Sequence, residues 1–495
     1  MLRQGLLFVK RSLGVAAEWR ILDAVGLKYP RFASPLSNVA SDVGDSVEEL
    51  RVFIVVGEPS GDVIGSRLMG SLRRLSPKPL RFAGVGGLSR CFHFDSRFGY
   101  ASRANMEKEG LNSVFKMEYI TVMGAAELFP HMFRIWRRLR QTVAEVVDFE
   151  PHVVVTVDAK GFSFRVLRSL TSNGYSMISG SDTSRLVLLA SIVPVDIVRD
   201  MTCTSFFIPC SNNEKFLPHI PVLLHHEINE DQRVPSVVQP YTRKKTEQPP
   251  ILVHYLAPSY WAWKMGDARL DSMKEFVDHL LCILPFEAPM YKAHGLGATF
   301  VGQPVLEDPY MNVPSAENSA PRNWEIQGFG TNFREKHGVQ SGTKIISVLP
   351  GSRVQEVKRM LPLFRIAMHR LAEDYPHIKA VVPTAQSSVV TNMVQESVSR
   401  WEIPAIVVPA ASDLEKYDAF AASDAGLCTS GTASMQLLLA RVPSVVAYRA
   451  NPITEWLIKS RTKLEYISLS NILLNSPVVP EALFGECTLS DSLLF

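Results

Sequence analysis

Ile345-Ile346-Ser347-Val348-Leu349-Pro350-Gly351-Ser352-Arg353-Val354-Gln355-Glu356-Val357-Lys358-Arg359-Met360-Leu361-Pro362-Leu363 reads as a buried strand, a glycine turn and a helix. Aliphatic residues fill most of the first five positions, Pro350 and Gly351 break the run, and Val357, Met360, Leu361 and Leu363 recur at helical spacing. A strand end followed by a helix start presents free N–H groups and the positive end of a helix dipole, a place for an anion. Gly351 permits close backbone approach, and Arg353 adds a fork of donors suited to phosphate oxygens. The spacing matches neither GxGxxG nor GxxxxGK[ST], so the motif alone leaves an ordinary strand-to-helix turn open beside phosphate binding.

A second turn of this kind lies about eighty residues on, where Asp424–Cys428 leads through Thr429-Ser430-Gly431-Thr432 into the apolar helix start Met435-Gln436-Leu437. Two such turns on one parallel sheet are placed to hold the two ends of a nucleoside diphosphate. The rest of the C-terminal half alternates strands and helices, with Ile378–Pro383, Ala405–Pro409 and Ser444–Tyr448 as strands and Trp456–Ile467 as a helix.

At 495 residues and 46% hydrophobic, the chain has core for two or three domains, and its net charge of +3 with no aromatic-laced basic run gives no footprint for nucleic acid. Cys91, Cys203, Cys210, Cys282, Cys428 and Cys487 form no CxxC pair, which points to free thiols. Leu186–Val198, with Pro194 and Asp196, is too short to span a bilayer. The start is basic and amphipathic, its first acid being Glu18, which reads as a mitochondrial presequence with a chloroplast address or structural arm as alternatives.

The fold proper begins at Arg51–Val56, a strand leading through Gly57-Glu58-Pro59-Ser60-Gly61-Asp62 into a helix; Ser60 and Asp62 either cap that helix or face a ligand. Phe82–Gly87 reads as a glycine turn that admits a ligand or a neighbouring backbone. From Leu128 to Val147, Phe129, Met132, Phe133, Trp136, Leu139, Val143 and Val147 form an apolar helical stripe beside Arg134, Arg137, Arg138 and Arg140. Such a helix either packs its aromatics on the sheet or rests them on lipid. Val153–Val157 is a central strand, and Asp158 at its end either accepts a proton in catalysis or caps the next helix. Further strand-and-turn units follow at Ile251–Lys264, Cys282–Glu287 and Ala298–Pro304, and the polar Glu307–Gly338 reads as an interdomain linker.

Val55–Asp62, Gly84–Gly87, Val157-Asp158-Ala159, His254–Ser259 with Trp261-Ala262-Trp263, Leu284–Glu287, Leu349–Arg353 and Ser430–Ala433 resemble, in this order, the lipid-A-disaccharide synthases, and with the N-terminal extension the plant organellar form of that bacterial enzyme. The resemblance covers most of residues 51 to 487. It implies a GT-B fold, two Rossmann-like domains facing across a cleft, and an inverting glycosyltransferase that needs neither metal nor cofactor. Such an enzyme joins UDP-2,3-diacylglucosamine to 2,3-diacylglucosamine 1-phosphate, giving a β-1,6-linked disaccharide 1-phosphate and UDP. It implies residues 1–50 as presequence, 51–310 as acceptor-side domain with inserts at about 91–104 and 171–242, 311–340 as linker and 341–495 as UDP-sugar domain.

On this resemblance Asp158 is the catalytic base. Gly351, Ser352, Arg353, Ser430, Gly431, Thr432, Gln436 and Asn471 line the donor site, and Glu58, Ser60, Gly61, Asp62, Gly86, Gly87, Ser259 and Trp261 the acceptor side. The partners are the two lipid substrates and a membrane surface, with a homodimer as an open assembly. Gln436 stands where the family usually has glutamate, and Gln303 where it usually has histidine. Cys91–Ala104 and Thr171–Thr242 interrupt links the family keeps short, and the chain stops soon after Glu486-Cys487 where the family continues into helix. Retained non-coding segments are the expected origin of these departures. Two other readings stay open: another UDP-sugar GT-B enzyme, and an inactive UDP-sugar or lipid binder.

Neither insert carries a periodic apolar face that adds to a core. A variant lacking Cys91–Ala104 and Thr171–Thr242 is therefore expected to gain soluble yield and thermal midpoint over the full chain. Loss of cooperative unfolding in that variant would make the segments structural.

Overall fold

Strands that are apolar at nearly every position are stable only between two layers of helices, and the central strands of both sheets of this protein are of this kind. The computed structural model describes residues 49–87, 105–115, 117, 120, 125–172, 249–264, 266–307, 328–384, 388–409 and 413–487. The expected presequence apart from its last two residues, the Cys91–Ala104 insert, nearly all of the Thr171–Thr242 insert, and Cys91, Cys203 and Cys210 lie outside them.

The first sheet holds β1 (Leu50–Val56), β2 (Leu80–Val85), β3 (Asn112–Ser113), β4 (Val153–Val157), β5 (Ile251–Tyr255), β6 (His279–Cys282) and β7 (Gly297–Phe300). Its order is β3-β2-β1-β4-β5-β6-β7, with every pairing parallel. The second holds β8 (Lys344–Leu349), β9 (Ile378–Pro383), β10 (Ala405–Val408), β11 (Ala425–Cys428), β12 (Ser444–Tyr448) and β13 (Glu481–Leu483) in the order β10-β9-β8-β11-β12-β13, again all parallel. Each is thus a doubly wound Rossmann-like sheet. The strand order reverses direction between β1 and β4 in one and between β8 and β11 in the other, and ligands of open α/β sheets bind outside the strand ends at such switch points.

Alternation along β1 supplies both layers of the first domain. Phe53 and Val55 pack with Val154, Phe164 and Leu167, whereas Val52, Ile54 and Val56 pack with Leu68, Met69 and Leu72 of the helix Pro59–Leu75. In the second domain Ile346 and Val348 meet Met360, Leu361 and Phe364 of the helix Val354–Asp374. The free cysteines among the described residues, Cys282, Cys428 and Cys487, are buried, and burial pushes the Cys428 thiol up to about 12.

Several expectations need correction. Phe82–Val85 belongs to β2 rather than a turn; Gly84, at φ +155°, lies against the carbonyl of Ile54, so its missing side chain serves a neighbouring strand. The proposed linker contains a helix, Gly330–Lys336, whose Phe333 is buried with Ile345 and Val381 and whose Arg334 pairs with Asp424 at 3.3 Å, so these residues belong to the second domain. The helix expected over Trp456–Ile467 is Pro452–Arg461. It ends because the chain pairs with the first domain: Thr462 bridges Trp263, Lys463 N–H donates to Ala262 O at 2.8 Å, and Lys264 N–H donates to Arg461 O at 2.8 Å.

The amphipathic helix spans Ala125–Phe149, and of the two orientations left open it does not turn Phe133 and Trp136 onto the sheet. Ile135, Thr142 and Val146 face inward with Leu139 and Val143 beside them, while Phe133 and Trp136 are 75% and 48% exposed. Among the described residues no helix is long and apolar enough to cross a membrane.

Candidate active site

The turns after β1 and β4 are forced together by register. Val56 lies beside Val157, so Gly57-Glu58 meets Asp158-Ala159, and a side-chain carbon on Gly57 would overlap Cβ of Ala159. Asp158 and Ala159 both take left-handed backbone angles, φ +50° and +43°, which non-glycine residues adopt only where the surroundings impose them. Here Asp158 N–H donates to Tyr255 O at 3.1 Å, and Ser163 Oγ donates to Asp158 O at 2.8 Å. Those bonds hold the backbone. No hydrogen bond to the Asp158 carboxylate is found among the described residues, and the side chain caps nothing there.

Around it stand other charges. Burial, and then the neighbouring Asp158, push the Glu58 carboxyl up, against the pull of Arg353. Lys160, the first residue of the helix Lys160–Ser172, is pushed down by burial against the opposing field of Asp158, Glu287 and Glu58. Glu287 is fully buried, accepting from Trp261 Nε1 at 3.0 Å and Leu284 N–H at 3.1 Å, and burial raises its carboxyl. Beneath them His254 is wholly buried, with Nδ1 2.8 Å from Thr156 Oγ1 and Phe164 edge-on at 4.7 Å. Burial, followed by the charge of Lys160, drives its imidazole down to about 3.

The second domain supplies the facing turns. Leu349 pairs with Cys428, placing Gly351-Ser352-Arg353 beside Ser430-Gly431-Thr432. Gly351 adopts φ +115°, where any side chain would meet Glu356, and the Glu356 carboxylate accepts from Ser352 N–H at 3.3 Å and from Arg353 Nη1 at 3.1 Å. Arg353 then reaches across the cleft, its Nη2 donating to Glu58 Oε2 at 2.7 Å. Gly431, at φ +127°, has open space around it, and Thr432 begins the helix Thr432–Leu439 in solvent. Gln436 donates to the Tyr417 hydroxyl at 3.4 Å, and Ser430 Oγ donates to Ile467 O at 3.1 Å.

The structure therefore brings together Asp158, Glu58, Arg353 and the Ser352 and Ser430 turns. Other expected site side chains are engaged elsewhere. Asp62 is fully buried, accepting from Gly87 N–H at 3.1 Å and Asn105 N–H at 2.9 Å, so its carboxylate does not cap the helix but braces Gly87 and Asn105. Gly86 lies against Met106, and Gly61 against Val56; both glycines serve packing. Ser60 is exposed and makes no cap bond. Half-buried Ser259 precedes the short turn Tyr260–Ala262, and Trp261 beside it is anchored to Glu287 with Phe286 edge-on at 4.9 Å.

Asn471 is also buried, and all its side-chain polar atoms are taken. Nδ2 donates to Val479 O and Glu481 Oε1, each at 2.8 Å, and Oδ1 accepts from Val479 N–H at 2.9 Å. It therefore acts on the Ser430 turn indirectly: Glu481 accepts from Ile467 N–H and Ser468 N–H, and Ile467 O accepts from Ser430. Gln303 donates to Ile283 O at 3.2 Å. Sequence reasoning missed Lys160, Glu287 and Glu356 as members of the cluster. Glu356 had a signal, an acid three residues after Arg353 in a first helical turn, whereas Lys160 and Glu287 depend on which turns meet.

Two Rossmann-like domains with facing strand-end turns, one carrying Asp158 and the other Arg353 beside a helix start, have the GT-B architecture. The lipid-A-disaccharide synthetase family model matches residues 52–179 and 237–493. A probable mitochondrial lipid-A-disaccharide synthase of Arabidopsis thaliana is 42% identical over 443 residues, covering 90% of this chain and 77% of the relative. The lipid-A-disaccharide synthase of Rhodospirillum centenum is 35% identical over 442 residues, covering 89% and 83%. A solved UDP-GlcNAc 2-epimerase of Neisseria meningitidis bound to UDP-GlcNAc overlays with a TM-score of 0.45 at 10% identity, covering 86% of this chain and 90% of that one. The chain belongs to the lipid-A-disaccharide synthase family, hexosyltransferases that condense UDP-diacylglucosamine with lipid X.

The buried imidazole has a measurable consequence. Between pH 6.5 and about 3 the unfolded chain binds a proton at His254 that the folded chain refuses, so this group withdraws stability as pH falls. Chemical denaturation from pH 6.5 down to 4 is expected to show a parental slope steeper than that of His254→Gln by about 1.4 kcal/mol per pH unit. Equal slopes would mean that His254 titrates freely in the fold.

Proposed function

We propose that the primary hydroxyl of 2,3-diacylglucosamine 1-phosphate is activated by Asp158 and attacks the anomeric carbon of UDP-2,3-diacylglucosamine. As the new β-1,6 bond forms and the bond to the diphosphate breaks, the hydroxyl proton passes to Asp158 and UDP departs. A carboxylate within reach of that hydroxyl contributes roughly 10² to 10⁴ in rate. The observation that carries this reading is the Asp158 carboxylate itself: free of hydrogen bonds among the described residues, at a fixed strained turn, beside the cleft that Arg353 spans. Arg353, Ser352 N–H and the Ser430-Gly431-Thr432 turn support the leaving diphosphate, where a helix start and a guanidinium favour negative charge. Gln436, on the helix behind the Ser430 turn, completes the donor side.

The same reading places the protein in mitochondria, as the name of the Arabidopsis relative has it. It also gives the helix Ala125–Phe149 a role at a membrane surface. Exposed Phe133 and Trp136 share one face with Arg137 and Arg140, at spacings of three and four residues, and the Arg140 guanidinium lies 4.0 Å from the Trp136 ring centre. An apolar tip ringed by arginines suits the boundary between anionic headgroups and acyl chains, the level at which both lipid substrates reside.

Asp158→Asn keeps size and hydrogen-bonding capacity without basicity, so turnover is expected to fall at least about a hundredfold with UDP affinity unchanged. Arg353→Ala is expected to raise the donor KM about ten- to a hundredfold, the loss of a charged hydrogen bond. Near-parental turnover in Asp158→Asn, or unchanged donor kinetics in folded Arg353→Ala, would overturn the respective role. In flotation with vesicles containing anionic phospholipid, Phe133→Ser with Trp136→Ser is expected to bind several-fold less than the parent; equal flotation would move the membrane contact elsewhere.

A further inference from the structure

The donor turn is filled by the protein's own carboxylates. Glu356 occupies Ser352 N–H and Arg353 Nη1, and Glu58 takes Arg353 Nη2 from the opposite domain. These are the donors that the proposed function gives to a diphosphate. Glu58 and Arg353 are separated by 295 residues, and their side chains are 16% and 39% exposed, so the pair is half-sheltered from water. Glu58 stands immediately before the helix Pro59–Leu75 without using its side chain to cap that helix, although an acid there is well placed to do so. Its carboxylate is committed to the other domain instead. On its own side its charged neighbours are Asp158, held close by the interlocked turns at Gly57 and Ala159, and Lys160.

A diphosphate carries more charge and more acceptor oxygens than one carboxylate, so it outcompetes Glu58 for a planar guanidinium fork. Once displaced, Glu58 is left without its guanidinium partner, beside Asp158 and Lys160, in the half of the cleft that the proposed function gives to the acceptor sugar. We propose that Glu58 is a positioning residue that couples the two half-sites: donor diphosphate replaces it on Arg353, and the released carboxyl group then hydrogen-bonds the acceptor sugar next to Asp158. This rests on the donor role given to Arg353 above. Its direct consequence is that Glu58 opposes nucleotide binding in the resting protein while supporting turnover.

The test is UDP binding to the full chain by calorimetry, together with steady-state kinetics. Glu58→Gln, which removes the competing charge, is expected to bind UDP about three- to tenfold more tightly, in the range for a half-sheltered charged contact, while kcat falls at least about tenfold. A residue that merely held the fold together would weaken both. Glu58→Asp, which keeps the charge but shortens the reach to Arg353, is expected to tighten UDP in the same direction and serves if the glutamine variant does not fold. Unchanged or weaker UDP binding in the folded variants overturns the coupling. Arg353→Ala separates the two layers of the argument: parental UDP affinity there removes the donor reading itself, whereas lost UDP affinity with no gain in either Glu58 variant removes only the coupling.

Discussion

Parallel strands buried on both faces admit few polar side chains along their length and no unpaired charge, and the rest of this molecule follows from that constraint. β1, β4, β5 and β8 are apolar almost throughout, so charge collects in the turns after their carboxyl ends. Because both sheets reverse their winding next to the first strand, two of these turns lie side by side in each domain: Glu58 with Asp158, and Arg353 with Ser430. The chemistry is thus a consequence of topology before it is one of individual residues.

The electrostatic character of the cleft is uneven. Glu58, Asp158, Glu287 and Glu356 face Lys160 and Arg353, and burial raises the carboxyls of Glu58 and Glu287. Such a site tolerates its own negative charge only because each carboxylate except that of Asp158 has an N–H or guanidinium partner. The exception is the group whose proposed role requires an open oxygen.

Much of this was legible in the chain. Strands such as Val153–Val157 and Ser444–Tyr448 announce themselves as nearly unbroken apolar runs, and the turns of the second domain follow from Gly351 and Gly431. What was not legible depended on long-range partners. β2 was obscured by Gly84, which looks like a turn residue until β1 is laid against it; the helix Gly330–Lys336 hid in a polar segment because only Phe333 is buried in it. Asp62 and Asn471 look like ligand contacts in sequence, being polar residues in family motifs, yet both are committed to groups within the fold. A motif records that a residue matters without recording whether it touches the substrate or holds what does.

The overlap that a side chain at Gly57 would make with Ala159 gears two loops into one mechanical part. Neither can swing without carrying the other, and the strained backbone at Asp158 removes the remaining slack. The opposite domain is tied to this part at two points, the Pro304 carbonyl, to which Arg67 donates at 2.5 Å, and the backbone bridge of Thr462 with Trp263.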